Sequence, residues 1–152
     1  MRALIQRVSQ ACIVINGNPG GSMDTGMVVL LGIERGDTAN DLDWLLNKCL
    51  DLRIYEDSEG KMNRSLRDSG GQVMVVSQFT LYGNVKKGNR PSFNRSAAPA
   101  EAIPLYNAFV EAMRQSRGSA NVITGTFGSN MQVTLTNDGP VTLLLDSRNK
   151  EL

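Results

Sequence analysis

A chain of 152 residues with 41% hydrophobic and 20% charged side chains suits one compact domain and is too apolar to remain disordered. Sixteen Lys and Arg against fifteen Asp and Glu leave a net charge of +1, which argues against a general polyanion binder and confines any nucleic-acid contact to a local cluster. There is no histidine, which excludes Ser-His-Asp and Cys-His catalysis, HExxH metalloproteases and every His-ligated zinc site.

Cys12 and Cys49 form no CxxC pair and read as reduced, buried thiols of a cytosolic protein. The opening MRALIQRVSQ has no apolar signal-peptide core, and no run approaches the ~20 residues that span a bilayer. A soluble, cytoplasmic chain without a membrane partner is expected.

In chain order, Arg2 to Val8 alternates roughly with period two. Ala3, Ile5 and Arg7 share one face, and Leu4, Gln6 and Val8 the other. Ala11 to Ile15 continues with β-branched residues, giving two strands or one long bent strand. Asn16 to Gly21 is turn chemistry, and Met27 to Ile33 reads as a strand buried on both faces. Asp37 or Thr38 caps a helix whose apolar side carries Leu42, Leu45, Leu46, Cys49 and Leu52. Arg53 to Glu56 is extended and Asp57 to Gly60 a turn. Val73 to Leu81 reads as a strand holding Ser77-Gln78-Phe79-Thr80 in its second half. Gly83 to Pro99 is a long polar loop, of a length that usually carries function.

A second amphipathic helix covers Ala100 to Arg117, with Leu105, Phe109, Ala112 and Met113 as its stripe and Pro104 in its first turns. Strands follow at Asn121 to Thr124, Met131 to Thr136 and Val141 to Leu145. The last two are joined by a tight hairpin at Asn137-Asp138-Gly139-Pro140. The sum is a mixed α/β fold with a mostly antiparallel, barrel-like core and two packing helices. It occupies one domain, residues 1–147, with a short tail at 148–152.

Four groups of residues can carry chemistry. Ser77, Gln78, Phe79 and Thr80 bring two hydroxyls and an amide to a strand end, where backbone N–H groups can stabilise an oxyanion. The plainer reading is that Ser and Thr satisfy the strand terminus. Thr80 has no histidine to activate it and is not N-terminal, which disfavours it as a nucleophile. Gly139-Pro140 is either an ordinary turn or a cis peptide that aims neighbouring carbonyls in one direction. The loop from Lys86 to Arg95, with Lys87, Arg90 and Phe93, either holds phosphates and stacks a base or is a solvated surface loop. Arg7 is buried and paired if Ala3 and Ile5 face the core, and otherwise a plain edge-strand arginine.

Taken together, these segments resemble the D-aminoacyl-tRNA deacylase family, also called D-tyrosyl-tRNA deacylases. The likeness runs from Met1-Arg2-Ala3-Leu4-Ile5-Gln6-Arg7-Val8 to Leu145-Asp146-Ser147. It rests on Ser77-Gln78-Phe79-Thr80-Leu81-Tyr82, Lys87-Gly88-Asn89-Arg90-Pro91-Ser92-Phe93 and Asn137-Asp138-Gly139-Pro140-Val141-Thr142 in that order and spacing.

The resemblance implies a homodimer with its active site at the subunit interface. Gly139-Pro140 would be cis and enter the partner's pocket, where its carbonyls hold the α-amino group and exclude an L side chain. Glycine mischarged on alanine tRNA would also be accepted. Ser77, Gln78, Phe79 and Thr80 would line the same pocket, the main chain at Phe79 positioning the ester and Thr80 assisting. The tRNA's terminal 2′-OH would help water attack. Arg7 would hold the Gly-Pro motif, and Met131 would join the chirality-reading set. Ser129 stands where alanine is expected, near the adenosine pocket. Lys86, Lys87, Arg90 and Arg95 are the expected tRNA contacts. No metal or other cofactor and no DNA are expected. The rivals are a non-catalytic RNA-binding module, an esterase or amidase of small D-amino-acid derivatives, and a purely structural dimer.

Overall fold

The computed structural model describes residues 1–152. Its elements are β1 (Arg2–Ile15), β2 (Asn18–Met23), β3 (Gly26–Gly32), α1 (Ala39–Asp51), β4 (Tyr55–Glu56), β5 (Met62–Arg64), α2 (Leu66–Ser69), β6 (Gln72–Ser77), α3 (Pro99–Arg117), β7 (Val122–Thr124) and β8 (Met131–Asp146). The main sheet runs β2-β1-β3-β6-β7, with β8 also paired to β1. Pairs involving β1 are antiparallel, whereas β3–β6 and β6–β7 are parallel. The expected mixed α/β domain is present, with three helices rather than two. No helix is long and apolar enough to cross a membrane.

Of the two readings offered for the N-terminal segment, the single long strand holds: β1 runs unbroken from Arg2 to Ile15. A register irregularity between Val8 and Gln10 inserts an extra residue into β1. Because side chains alternate faces, that one residue reverses the parity of everything after it. Before it, Ala3 and Ile5 join the main core with Met27, Val29, Val73 and Val75; after it, Ala11 and Ile13 face a second cluster with Val28, Met74 and Val76. The central strands therefore bury both faces, as the unbroken apolar run in β3 predicts. Cys12, between Ala11 and Ile13, is exposed rather than buried; Cys49 is buried as expected.

Only Asn16 and Gly17 make the turn after β1, both at positive φ. Asn18 to Gly21 instead belong to β2, where Pro19 pairs with Val14 at a register irregularity, a place where a strand tolerates proline. Helix α1 starts at Thr38 with a capping box to Asp41. The short α2 repeats that device with Ser65 and Asp68 and ends on left-handed Gly70, a signature present in the sequence but not read there.

The buried stripe of α3 is Ala102, Tyr106, Phe109, Val110 and Met113, so Leu105 and Ala112 flank it rather than lead it. Tyr106 can enter the core because its hydroxyl donates to the Val75 carbonyl at 3.0 Å.

The largest departure is at the C-terminal end. Met131 to Asp146 is one strand that pairs with β1 from Ile15↔Met131 to Arg2↔Asp146, so no hairpin exists. Its two halves keep one direction because both pair antiparallel to the same neighbour.

Candidate functional site

Strand β6 stops at Ser77, where its register with β3 ends opposite Leu31. Gln78 makes one more bond, its N–H donating to the Leu31 carbonyl at 2.8 Å, and the chain then turns through a 3-10 segment, Phe79–Tyr82. The strand expected to continue to Leu81 therefore ends four residues early. That turn changes what the motif presents: Ser77, Gln78 and Phe79 line a cavity of about 70 Å³ together with Phe127 and Gly128, closed by Leu31, Ile33, Ala97 and Ala102. Not one of these lining residues titrates. Thr80 lies beside the cavity, its hydroxyl accepting a 2.5 Å hydrogen bond from Gln78 Nε2. Phe127 stacks edge-on against Tyr106 at 6.0 Å, and the exposed Phe79 ring meets Phe93 at 5.0 Å.

The turn is braced from behind. Ser96 Oγ donates to the Phe79 carbonyl at 2.9 Å, and Arg2 Nη1 donates to the Leu81 carbonyl at 2.9 Å. Arg2 is itself paired with Asp146 at 2.7 Å and lies over the Tyr82 ring. Burial, the largest single influence, pushes the Asp146 carboxyl up, but the Arg2 hydrogen bond and charge together with the Arg148 and Asn149 N–H bonds outweigh it and hold the carboxyl below its ordinary value. Arg148, beyond the likeness drawn from sequence, joins the same charged belt through Asp37 at 3.1 Å and Glu34 at 3.6 Å.

Arg7 is buried, which settles the choice left open by sequence: it is not an edge-strand arginine, because β1 has paired neighbours on both sides. Its Nη1 donates to the Ile54 carbonyl at 2.6 Å and its Nε to the Asp138 carbonyl at 3.1 Å, with the Asp138 carboxylate 3.2 Å away. Opposite Arg7 the β1–β8 ladder jumps from Val8↔Asn137 to Gln6↔Thr142. Residues 138–141 thus bow out of the sheet. Asn137 closes the neck of the bow, donating to Thr142 Oγ1 at 2.8 Å and accepting from the Val141 N–H at 3.2 Å. Gly139-Pro140 at its tip is a cis peptide, and Gly139 has φ of +122°. Both residues are exposed.

Within one chain the two motifs do not share a cavity. Arg7 and Asp138 instead border a polar cleft of about 320 Å³ with Thr25, Tyr55, Glu56, Arg64 and Ser69. Met131, at the start of β8 opposite Ile15, lines neither space. Lys86, Lys87 and Arg90 converge with Asn84, Ser92 and Asn94 around a wholly polar cleft of about 330 Å³. Arg95 is drawn away from them by Glu34, at 2.7 Å. No three Cys, Asp or Glu side chains gather as a metal-binding set.

The family model described as D-Tyr-tRNA(Tyr) deacylase matches residues 4–146. The chain belongs to the D-Tyr-tRNA(Tyr) deacylase family. A Thermus aquaticus relative named D-aminoacyl-tRNA deacylase is 54% identical, the alignment covering 99% of this chain and 97% of the relative. One of the same name from Chlorobaculum tepidum is 52% identical, covering 99% of both chains. Among solved structures, one titled c-Myc DNA Unwinding Element Binding Protein superposes with a TM-score of 0.91 at 39% identity, covering 96% of this chain and 98% of that one. A probable eukaryotic D-amino acid tRNA deacylase matches with a TM-score of 0.82 at 22% identity, covering 95% and 98%, and shares the fold.

In this D-Tyr-tRNA(Tyr) deacylase family member, the Ser77–Thr80 turn can act through its main chain. The first N–H groups of a helical turn have no acceptor within it and can point at developing negative charge. Sequence reasoning did not find Ser96, Arg2 or Glu34, which hold that turn and the loop beside it. Their partners are distant in the chain, and no local pattern marks a serine whose acceptor lies 17 residues away.

Proposed function

We propose that this chain is a D-aminoacyl-tRNA deacylase. It hydrolyses the ester between a D-amino acid and the 3′ end of its tRNA, releasing both and sparing L esters. Membership in the family supports the reaction class. The observation that carries the mechanism is the cavity at Ser77, Gln78 and Phe79, whose walls hold main-chain groups, hydroxyl, amide and apolar carbon but no titratable side chain. An aminoacyl ester is already activated, so positioning and oxyanion stabilisation suffice. Water adds to the carbonyl carbon, the bond to the ribose oxygen breaks, and that oxygen leaves with a proton. The neighbouring 2′-OH assists the attack, and Thr80 contributes as a polar neighbour rather than as a nucleophile.

The chirality filter is the bow at Gly139-Pro140, presented to the pocket of a second protomer, with Arg7 holding its base. Two features support this reading. The bow is exposed and lies on a different cleft from the Ser77 cavity of its own chain. In addition, β8 pairs only with β1, leaving the other edge of a 16-residue strand free for a twofold contact. Exclusion of an L side chain is more discriminating than the ~1–3 kcal/mol of an apolar pocket. A filter of that kind also admits glycine, so glycine mischarged on alanine tRNA is a second substrate. Lys86, Lys87 and Arg90 supply phosphate contacts from the cytoplasmic tRNA, with Arg95 as their anchor rather than a fourth free cation.

The test is hydrolysis of matched D-Tyr-tRNA and L-Tyr-tRNA by purified protein with EDTA present. Rapid loss of the D ester alone is the expected result. Equal loss of both removes the role given to Gly139-Pro140, and no loss of either removes the deacylase reading.

A further inference from the structure

We propose that Ser96 is a positioning residue for hydrolysis, acting through the peptide plane between Phe79 and Thr80; the inference rests on the reading of the Ser77–Thr80 turn as the ester site. The residue is 9% exposed, and its hydroxyl donates to the Phe79 carbonyl at 2.9 Å. Carbonyl and following N–H belong to one rigid plane, so a bond that fixes the Phe79 oxygen also fixes the direction of the Thr80 N–H. Without that bond the plane is free to rotate, and a donor turned away from the reacting carbonyl stabilises the developing charge less well.

Ser96 is itself held independently of the turn. Its own N–H donates to the Phe93 carbonyl at 3.0 Å, and the adjacent Ala97 N–H donates to the Ile33 carbonyl at 2.9 Å. On the other flank, Arg95 is clamped to Glu34 at 2.7 Å. The serine therefore stands on a fixed platform at the end of β3 and reaches across to the turn. The ring of Phe93, from the same loop, touches Phe79 at 5.0 Å. The loop that carries Lys86, Lys87 and Arg90 and the turn that lines the cavity thus meet at one hydroxyl and one aromatic pair.

The experiment compares wild type, Ser96→Ala and Ser96→Thr in steady-state hydrolysis of D-Tyr-tRNA, with the Thr80 amide resonance followed in ¹⁵N-labelled protein. Ser96→Ala is expected to lower kcat about three- to tenfold, the worth of one hydrogen bond, with KM within about twofold of wild type. The Thr80 resonance should move in Ser96→Ala and return in Ser96→Thr, along with kcat. Should alanine loosen the loop, Ser96→Cys keeps the volume with a poor donor and must give the same pattern. Unchanged kcat in Ser96→Ala, or a Thr80 resonance that does not move, overturns the inference while the deacylase reading stands. A wild-type protein inert toward the D ester overturns both.

Discussion

Removing the Arg7 side chain separates two effects that its geometry superimposes. Its bond to the Ile54 carbonyl is short, at 2.6 Å, and buried. Its ion pair with Asp138 is 3.2 Å long, but the Asp138 side chain is 52% exposed. An exposed pair of that kind contributes roughly 0–1 kcal/mol. A charged donor on a buried carbonyl is worth about 1.5–3 kcal/mol, and orphaning the Ile54 and Asp138 carbonyls adds to the loss. Arg7→Met should therefore destabilise by about 3–5 kcal/mol, and Asp138→Asn by less than about 1 kcal/mol. With a urea slope near 2 kcal/mol per molar, the unfolding midpoint should fall by about 1.5–2.5 M in the first and under about 0.5 M in the second. Arg7→Lys keeps the charge but not the planar fork and should lie nearer Met than wild type. Equal shifts for Arg7→Met and Asp138→Asn would refute the argument, because the ion pair, not the buried carbonyl, would then dominate.

Gly139→Ala places a Cβ 2.9 Å from Val141 Cγ2 and 3.0 Å from Arg7 Nη2, at φ of +122°. It should cost about 1–3 kcal/mol and reduce the ratio of D to L hydrolysis; unchanged urea midpoint and unchanged ratio would refute both statements. A thiol reagent at neutral pH should titrate Cys12 at once and Cys49 only on unfolding, because Cys12 is exposed while burial pushes the Cys49 thiol up to about 12. Reaction of both thiols in the folded protein, read by absorbance, would contradict that burial. Since no residue lining the Ser77 cavity titrates, kcat for D-Tyr-tRNA should rise smoothly with pH from about 6 to 8.5, as hydroxide-assisted ester cleavage does. A bell-shaped profile that persists with an ester lacking the substrate's α-amino group, which itself titrates at about 7.7–8.0, would require a titrating catalytic group and would sink the backbone mechanism.

The sequence is most legible where structure is local. The apolar run of β3 and the Thr38 cap of α1 both follow from residues a few positions apart. What failed did so for identifiable reasons. Asn137-Asp138-Gly139-Pro140 has the same composition whether it reverses the chain or bows out and lets it continue. Only the identity of the paired strand distinguishes the two, and β1 is more than 120 residues away in sequence, as the contact of Arg7 with Asp138 shows. The exposure of Cys12 depends on an extra residue in β1 that no period-two template registers. The stripe of α3 was misplaced because Tyr106 looks too polar for a core until its hydroxyl finds the Val75 carbonyl.

The candidate site divides in the same way. Residues that present chemistry, Ser77 to Phe79, stand contiguous in the chain and were readable as a motif. Residues that hold them in place are scattered along the sequence: Arg2 from the first strand, Ser96 from the loop before α3, and Asp146 from the last strand. This separation is what the proposed main-chain mechanism entails. A side-chain catalyst can be recognised by its residue type, whereas a backbone donor is defined only by its direction. Direction is set by whatever grips the neighbouring carbonyls, and those carbonyls belong to Phe79 and Leu81. The Arg2 contact to Leu81 and the Ser96 contact to Phe79 therefore define the site as much as the motif itself does. A variant series confined to Ser77, Gln78 and Thr80 would miss both.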